Sequence, residues 1–241
     1  MCGRFIARTD RNWQNFFSLK KPPPQFESWN IAPTQRIPVV RHAADGNDCD
    51  LLRWGLIPFF ARGVPGKYST INARSETVAT SPAYRGPWKR GQRCIIPANG
   101  FYEWQQREAG KQPFFIRLTD RELFGFAGVW DRSVTADGEA IDSCAVLTLP
   151  ASPFMALIHN ATQREPAILR PEDHEAWLSG TAEQAQQALQ PATAGMLSAH
   201  AVSRRVNSPR NHGPELVQPI GPDEQVGEGA DGQDPGPPAD V

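Results

Sequence analysis

The chain has 241 residues, of which 23 are proline and 20 glycine, and a formal net charge of -1. This length suffices for one large domain, and the many turn-forming residues favour short elements over long helices. We find no secretory signal pattern, and no apolar run approaches the roughly 20 residues of a membrane span. We therefore expect a cytoplasmic protein that does not associate with membranes.

The charge is unevenly distributed along the chain. Six of the 26 acidic residues lie in residues 221–241, which contain no Lys or Arg. The first 220 residues carry 25 basic and 20 acidic residues, a net charge of +5. A mildly basic body suits a polyanionic partner. The tail, residues 221–241, is acidic and rich in Gly and Pro, which predicts disorder.

The cysteines show no metal-binding spacing. They are Cys2, Cys49, Cys94 and Cys144, and no C-x-x-C pair occurs. We expect reduced thiols, as in other cytoplasmic proteins, and no zinc site. The sequence also lacks a phosphate-binding glycine loop and a G-x-S-x-G motif. No metal and no cofactor are predicted.

The apolar patterns predict many short strands and a few short helices. Strands are predicted at residues 3–6, 37–41, 50–56, 93–104, 113–118, 123–130, 144–149, 166–169 and 196–205. Short helices are predicted after Thr9, at residues 82–89, 153–158 and 171–178, and after Thr181. Residues 29–34 are predicted to form a loop, and Asn99-Gly100 predicts a hairpin or a bend. These elements do not alternate as βαβ units would. We therefore predict an α+β single domain with a mostly antiparallel, barrel-like sheet and short flanking helices.

Cys2 directly follows Met1, and its chemistry depends on that position. Removal of Met1 would leave an α-amine and a thiol on adjacent carbons. The amine can add to an aldehyde to give an imine, and the thiol can then close a thiazolidine ring. Unperturbed pKa values of about 8 for the amine and about 8.5 for the thiol supply some nucleophile near neutral pH. The alternative is that Cys2 is a tolerated residue without a role.

Three further polar residues are candidates for chemistry. Glu103 stands in an aromatic run, and burial there would suit a general acid or base; strand alternation could equally point it at solvent. Asn72 could hold a carbonyl or hydroxyl group, or it could belong to a turn. His159 follows an apolar helix and could shuttle protons or interact with the helix dipole.

Several segments together resemble the SOS-response-associated peptidase (SRAP) family of abasic-site processing proteins. The resemblance covers nearly all of residues 1–220, which we expect to form one SRAP-like domain, and excludes the tail. The segments that carry it are Met1-Cys2-Gly3-Arg4-Phe5, Asn30-Ile31-Ala32-Pro33, Trp54-Gly55-Leu56-Ile57-Pro58, residues 71–77 (INARSET), residues 93–104 (RCIIPANGFYEW), Ile158-His159-Asn160, residues 202–207 (VSRRVN) and Gly213-Pro214-Glu215-Leu216.

The resemblance implies a function in the DNA-damage (SOS) response. Family members bind single-stranded DNA and crosslink to abasic sites through the N-terminal cysteine. By resemblance Cys2 is the nucleophile, Asn72 positions the cysteine backbone or the sugar, and Glu103 and His159 move protons. Glu103 is also linked to the release of Met1. The expected DNA-binding residues are Arg4, Arg74, Arg85, Thr148, Arg164 and Trp54.

One segment departs from the family pattern His-Asp-Arg-Met-Pro. Aligned without a gap on Arg164 and Pro166, the family histidine falls on Thr162. Aligned with a three-residue insertion, it falls on His159. We favour the insertion because it keeps the phase of the preceding helix.

Three functions remain open on the sequence alone. The first is a monomeric sensor of abasic sites that forms a covalent thiazolidine with single-stranded DNA after removing its own Met1. The second is a cysteine peptidase that acts on other proteins. The third is a non-catalytic module that binds single-stranded nucleic acid.

Overall fold

The computed structural model describes residues 2–221. The strands are β1 (Arg4–Arg8), β2 (Glu27–Ile31), β3 (Arg36–Ala43), β4 (Gly46–Trp54), β5 (Asn72–Arg74), β6 (Arg93–Ala98), β7 (Gly100–Arg107), β8 (Gly110–Leu118), β9 (Phe124–Val134), β10 (Ala140–Pro150), β11 (Arg164–Pro166), β12 (Ile168–Leu169) and β13 (Leu197–Ala201). The α-helices are α1 (Trp13–Phe16), α2 (Arg85–Lys89), α3 (Pro153–Ile158), α4 (His174–Ser179) and α5 (Ala182–Gln187). The predicted acidic tail comprises residues 221–241, and all of it except Gly221 lies outside the described residues.

The strands form two sheets, one of which closes into a barrel. The open sheet has the order β13-β8-β7-β1-β2. In the other sheet β10, β4, β3, β6 and β9 pair in turn, and β9 pairs back to β10. The strands β5, β11 and β12 attach to this ring at β10 and β9. Among the thirteen strands of the described residues, pairing is antiparallel except where β10 meets β4 and β5. The predicted α+β fold with a mostly antiparallel barrel is confirmed.

Aromatic side chains join the open sheet to the barrel. Phe5 of β1 packs edge-on against Trp54 of β4 and Phe126 of β9, with ring centroids 5.0 and 5.8 Å apart. Phe101 of β7 meets the same Phe126 at 5.8 Å. All four side chains are fully buried. Because aromatic rings remove large apolar areas from water, this cluster holds the two sheets in one core.

The predicted loop at residues 29–34 is wrong for its first half. Glu27–Ile31 forms β2, which pairs with β1 through Phe5 and Ile31. Asn30 suggests a turn by composition, yet it is fully buried in this strand. Its amide donates to the carbonyl oxygens of Ser208 and Asn211, each at 3.0 Å. A distant segment therefore satisfies a polar residue that sequence alone assigns to a loop.

Asn99-Gly100 forms a bend rather than a hairpin. It separates β6, which belongs to the barrel, from β7, which belongs to the open sheet. A Cβ atom on Gly100 would lie 2.3 Å from the ring of Phe115, so only glycine permits this close packing. The bend turns the chain from the barrel into the strand that carries Glu103. Among the described residues no helix is long and apolar enough to span a membrane.

Candidate active site

Cys2 lies between the two sheets and is held there by Asn72. Cys2 immediately precedes β1, and 1 % of its surface is exposed. The side-chain amide of Asn72 donates to the carbonyl oxygen of Cys2 at 3.0 Å. Asn72 lies on β5, where it pairs with Val146 of β10. Tyr84 fixes this short strand further, because its hydroxyl donates to the carbonyl oxygen of Asn72 at 2.8 Å.

The environment of Cys2 keeps its thiol protonated. Burial raises the pKa of the Cys2 thiol well above its ordinary value, and the negative charge of nearby Glu103 raises this pKa further. The thiol contacts the carbonyl oxygen of Arg4 at 3.8 Å. Cys2 is therefore a poor thiolate nucleophile at neutral pH in this conformation.

Glu103 and His159 meet beside Cys2. Glu103 on β7 is 2 % exposed, so the prediction that alternation might point it at solvent does not hold. His159 is the C-cap of α3 and is 6 % exposed. Its Nε2 atom lies 3.7 Å from a carboxylate oxygen of Glu103. A buried carboxylate and imidazole at this separation can pass a proton between them through a small adjustment.

The imidazole has a defined tautomer. His159 Nδ1 lies 2.8 Å from the carbonyl oxygen of Arg164. A carbonyl oxygen only accepts, so Nδ1 carries the hydrogen, and in the neutral ring Nε2 is the acceptor nitrogen. Thr162, the alternative candidate for the family histidine, is exposed, and its hydroxyl oxygen lies 2.8 Å from this Nε2. The buried imidazole near Glu103 belongs to His159, and its correspondence to the family histidine stays a prediction.

Arg164 closes one side of the site. Its guanidinium forms a two-armed ion pair with Glu76. The same guanidinium donates to the carbonyl oxygen of Thr148 at 2.7 Å and to its hydroxyl at 3.1 Å. Hydrogen bonds from Arg164 lower the pKa of Glu76 to about 2. Thr148 is fully buried in β10 beside β5 and β11, so it lines the site from within.

Comparison with known proteins identifies the family. The sequence profile described as SOS response associated peptidase (SRAP) matches residues 1–209. The chain belongs to the SRAP family. It is 36% identical over 226 residues to "Abasic site processing protein YoqW" of Bacillus subtilis, covering 90% of this chain and 99% of that protein.

More distant relatives share the same body. The chain is 35% identical over 227 residues to "Abasic site processing protein HMCES" of Gallus gallus, covering 80% of this chain and 66% of that protein. A crystal structure of a Bordetella bronchiseptica protein superposes with a TM-score of 0.75 at 30% identity, covering 84% of this chain and all of that one. The SRAP fold described above is therefore shared with solved structures.

The structure separates the arginines that the SRAP resemblance grouped together. Arg74 ends β5 and Arg85 begins α2, and both are exposed near the residues that hold Cys2. Arg4 instead donates to Asn30 at 3.0 Å and to the carbonyl oxygens of Val206 and Asn207 at 2.7 and 3.0 Å. Arg4 is thus committed to joining β1 to a C-terminal segment.

The assignment of Trp54 to DNA binding requires correction. Its side chain is fully buried against Phe5, and its indole nitrogen donates to the carbonyl oxygen of Ile71 at 3.0 Å. No surface remains on which a nucleobase could stack. In this SRAP domain Trp54 is a core residue, as a tryptophan in a strand usually is.

Two residues of the site were not predicted from the sequence. Tyr84 orders Asn72 through its hydroxyl, and Glu76 holds Arg164. Glu76 lies 88 positions from Arg164, and no local spacing relates the two. The sequence feature that could have pointed to Glu76 is its position in the segment INARSET, which carries part of the SRAP resemblance. Within residues 2–221 no group of three or more His, Cys, Asp or Glu residues could hold a metal ion.

Proposed function

We propose that this protein processes abasic sites in single-stranded DNA by forming a covalent thiazolidine through Cys2 once Met1 is removed. The observation that carries the proposal is the burial of Cys2 beside Asn72 and Glu103, with His159 next to that carboxylate. Relatives of similar length named as abasic site processing proteins support it. The self-removal of Met1, the crosslink and the choice of single-stranded DNA are parts of this proposal.

Removal of Met1 is a hydrolysis in which water cleaves the Met1–Cys2 peptide bond. It releases methionine and exposes the α-amine of Cys2. We assign Glu103 as the base that takes a proton from the attacking group, because its carboxylate lies next to Cys2. Asn72 holds the carbonyl of Cys2 in place during this step and afterwards.

Crosslinking then proceeds in two bond-forming stages. The amine attacks the aldehyde of the ring-opened sugar to give a carbinolamine, which loses one water molecule to form an imine. The thiol sulfur next adds to the imine carbon, and the thiol proton is transferred to nitrogen as the five-membered ring closes. One water molecule is released overall, and no oxidant or reductant is needed.

The amine acts first in this order, because the thiol closes the ring by adding to the imine carbon that the amine has formed. With Met1 still attached, burial raises the pKa of the Cys2 thiol and favours its protonated form. The thiol can act once an electrophilic imine lies against it and a base accepts its proton. Glu103 and His159, with Nε2 and Oε2 3.7 Å apart, are placed to accept and return protons at both stages.

DNA would bind through its phosphates and not through its bases. Exposed Arg74 and Arg85 offer charge-assisted hydrogen bonds to phosphates that flank the lesion. An abasic nucleotide has no base to unstack, so its sugar enters a pocket at lower cost than an intact nucleotide. Single-stranded DNA suits the site because its backbone can bend toward the buried cysteine.

The decisive experiment is a denaturing gel with untagged protein and a single-stranded oligonucleotide that carries one abasic site. We expect a shifted band that survives heat and detergent with wild type and is absent with Cys2→Ala. Cys2→Ser keeps the amine and is expected to give a band only after borohydride traps the imine. Cys49→Ala removes another buried thiol and is the matched control, expected to crosslink like wild type.

Two controls determine which result would contradict the proposal. An oligonucleotide with a tetrahydrofuran analogue, which cannot open to an aldehyde, should bind but not crosslink. Mass spectrometry of the intact protein must show that Met1 is absent. A wild-type protein with a free Cys2 and no heat-stable band would exclude the crosslinking function, and turnover of a peptide library would then favour a peptidase.

A further inference from the structure

The carbonyl group of Asn72 lies at an edge of β5 that no described strand covers. Among the strands of residues 2–221, β5 pairs with β10 alone. In that pairing the N–H of Val146 donates to the carbonyl oxygen of Ile71 at 2.9 Å. Successive residues of a strand direct their backbone groups to opposite edges, so the carbonyl oxygen of Asn72 points away from β10. Asn72 is nevertheless buried, and its carbonyl group needs a partner from elsewhere.

The hydroxyl of Tyr84 supplies this partner. It donates to the carbonyl oxygen of Asn72 at 2.8 Å, and the Tyr84 side chain is itself buried. Because a buried carbonyl group without a hydrogen bond is costly, this contact stabilises the short strand at its uncovered edge. Tyr84 is the N-cap of α2, and its own carbonyl oxygen accepts from the N–H of Trp88 at 2.9 Å. Trp88 is buried in the core, so the core holds Tyr84 and Tyr84 holds Asn72.

The orientation of the Asn72 side chain depends on this backbone contact. Its amide nitrogen donates to the carbonyl oxygen of Cys2 at 3.0 Å. Its amide oxygen is buried and accepts no hydrogen bond within the described part of the chain. A side chain held by one hydrogen bond follows its backbone, so a shift of β5 would pass directly to the carbonyl group of Cys2.

The hydrogen bond from Tyr84 to Asn72 also connects the two exposed arginines to Cys2. Arg74 lies two residues after Asn72 on β5, and Arg85 directly follows Tyr84 at the start of α2. Both arginines are the phosphate-binding residues of the proposed function. The hydrogen bond joins β5 to α2, and it therefore relates the position of the bound DNA to that of Cys2.

We propose that Tyr84 is a positioning residue, which holds Asn72, and through it Cys2, in line with the bound abasic sugar. This inference rests on the proposed function. Tyr84 acts through Asn72 and does not touch the reacting atoms, because its hydroxyl is bonded to the Asn72 backbone. Without the hydroxyl β5 can shift, so the DNA binds as before and the amine of Cys2 meets the aldehyde less often.

The test combines Tyr84→Phe, which removes only the hydroxyl, with Asn72→Ala. Single-turnover crosslinking rates are measured at saturating abasic oligonucleotide, and affinity is measured separately with the tetrahydrofuran analogue. We expect Tyr84→Phe to slow crosslinking about fivefold and to leave the affinity within about twofold of wild type. In the Asn72→Ala background we expect Tyr84→Phe to change the rate by less than about twofold, because the residue through which it acts is gone.

Tyr102→Phe is the matched control for the loss of a buried tyrosine hydroxyl. The hydroxyl of Tyr102 donates to the carbonyl oxygen of Trp29 at 2.9 Å and joins β7 to β2. The variant therefore loses the same kind of bond at a place that does not hold Asn72. We expect Tyr102→Phe to crosslink at the wild-type rate. Chemical denaturation of both tyrosine variants shows whether their losses of stability are alike.

A spectroscopic readout separates this inference from the proposed function. The side-chain amide protons of Asn72, identified by their loss in Asn72→Ala, report by NMR whether this group donates to the carbonyl oxygen of Cys2. We expect their chemical shifts to change in Tyr84→Phe and to stay as in wild type in Tyr102→Phe.

Any of four results would overturn the assignment to Tyr84. They are a wild-type crosslinking rate in Tyr84→Phe, an equal slowing by Tyr84→Phe with and without Asn72→Ala, an equal slowing by Tyr102→Phe, and Asn72 amide shifts that Tyr84→Phe leaves unchanged. If Asn72→Ala forms no measurable crosslink, the amide shifts and the Tyr102→Phe control decide the assignment. If wild type itself forms none, the proposed function fails, and the amide shifts still decide whether Tyr84 positions Asn72.

Discussion

Two pairs of arginines with the same expected role occupy opposite environments. Arg4 and Arg164 are bound into the protein, the first by Asn30 and two carbonyl groups, the second by Glu76 and Thr148. Arg74 and Arg85 are exposed at the end of β5 and the start of α2. A guanidinium whose donors are already used has little left to offer a phosphate, so sequence charge alone overstates the DNA-binding surface.

The strongest test of this contrast is Arg4→Ala. Truncation leaves two carbonyl groups and the Asn30 side chain without a charged donor and separates β1 from residues 206–207. We expect the free energy of unfolding to fall by about 3 kcal/mol, measured by chemical denaturation.

The matched variant Arg74→Ala removes the same charge from an exposed position. We expect its free energy of unfolding to change by less than about 0.5 kcal/mol. Equal stability losses in the two variants would contradict the division into structural and exposed arginines.

Removing the exposed arginines should affect DNA binding instead. For Arg74→Ala and for Arg85→Ala we expect affinity for single-stranded DNA to fall about five- to tenfold, close to 1 kcal/mol. The slope of log affinity against log salt should decrease by about 0.7 for each lost phosphate contact. Arg117→Ala, an exposed arginine on β8, controls for the change in net charge. An equal loss in this control would show that the effect is non-specific.

A small effect is also expected from Glu76→Gln, which would remove the ion pair that holds Arg164. The side chain of Glu76 is 46% exposed, so we expect a loss below about 1 kcal/mol in unfolding free energy at neutral pH. Arg164 lowers the pKa of Glu76 from 4.5 to about 2. The ionised carboxylate of Glu76 therefore adds to the free energy of unfolding above pH 4.5, and this stabilisation is lost as pH falls toward 2.

Chemical denaturation at several pH values tests whether the stabilisation by Glu76 falls as the pH is lowered. The difference between Glu76→Gln and wild type should shrink as pH falls through that range. A difference that grows in acid would contradict the ion pair. Tighter binding of single-stranded DNA by Glu76→Gln at neutral pH would show that the pairing with Glu76 restrains Arg164.

The strands and helices that could be predicted are those with a clear local pattern of apolar or capping residues. Strands β6 to β10 arise from apolar runs, and the helix predicted after Thr181 is present as α5, with a capping box between Thr181 and Gln184. Strand β2 was missed because its buried Asn30 is satisfied by carbonyl groups about 180 positions away. Strand β5 has three residues and depends on parallel pairing with β10, which leaves no local signal.

The candidate site shows the same limit. The residue types at Cys2, Asn72, Glu103 and His159 indicate catalytic roles. Their positions along the sequence do not show that the fold brings them together. Asn72 and Cys2 are 70 positions apart, and Thr162 reaches His159 only through the fold of its loop. The expected DNA-binding role of Trp54 does not hold, because sequence alone does not show whether a tryptophan is buried and Trp54 is fully buried.

The bonds of Arg4 have a consequence for synthesis on the ribosome. Arg4 and Val206 are 202 positions apart, so the first segment to emerge finds its partners among the last. Contacts of such long separation form late, and β1 also waits for β7. Under the proposed self-removal of Met1, which needs Glu103 of β7 beside Cys2, the aminothiol would form only after β1 has paired with β7. The N-terminal peptide bond would therefore keep the amine masked from free aldehydes until the strand is in place.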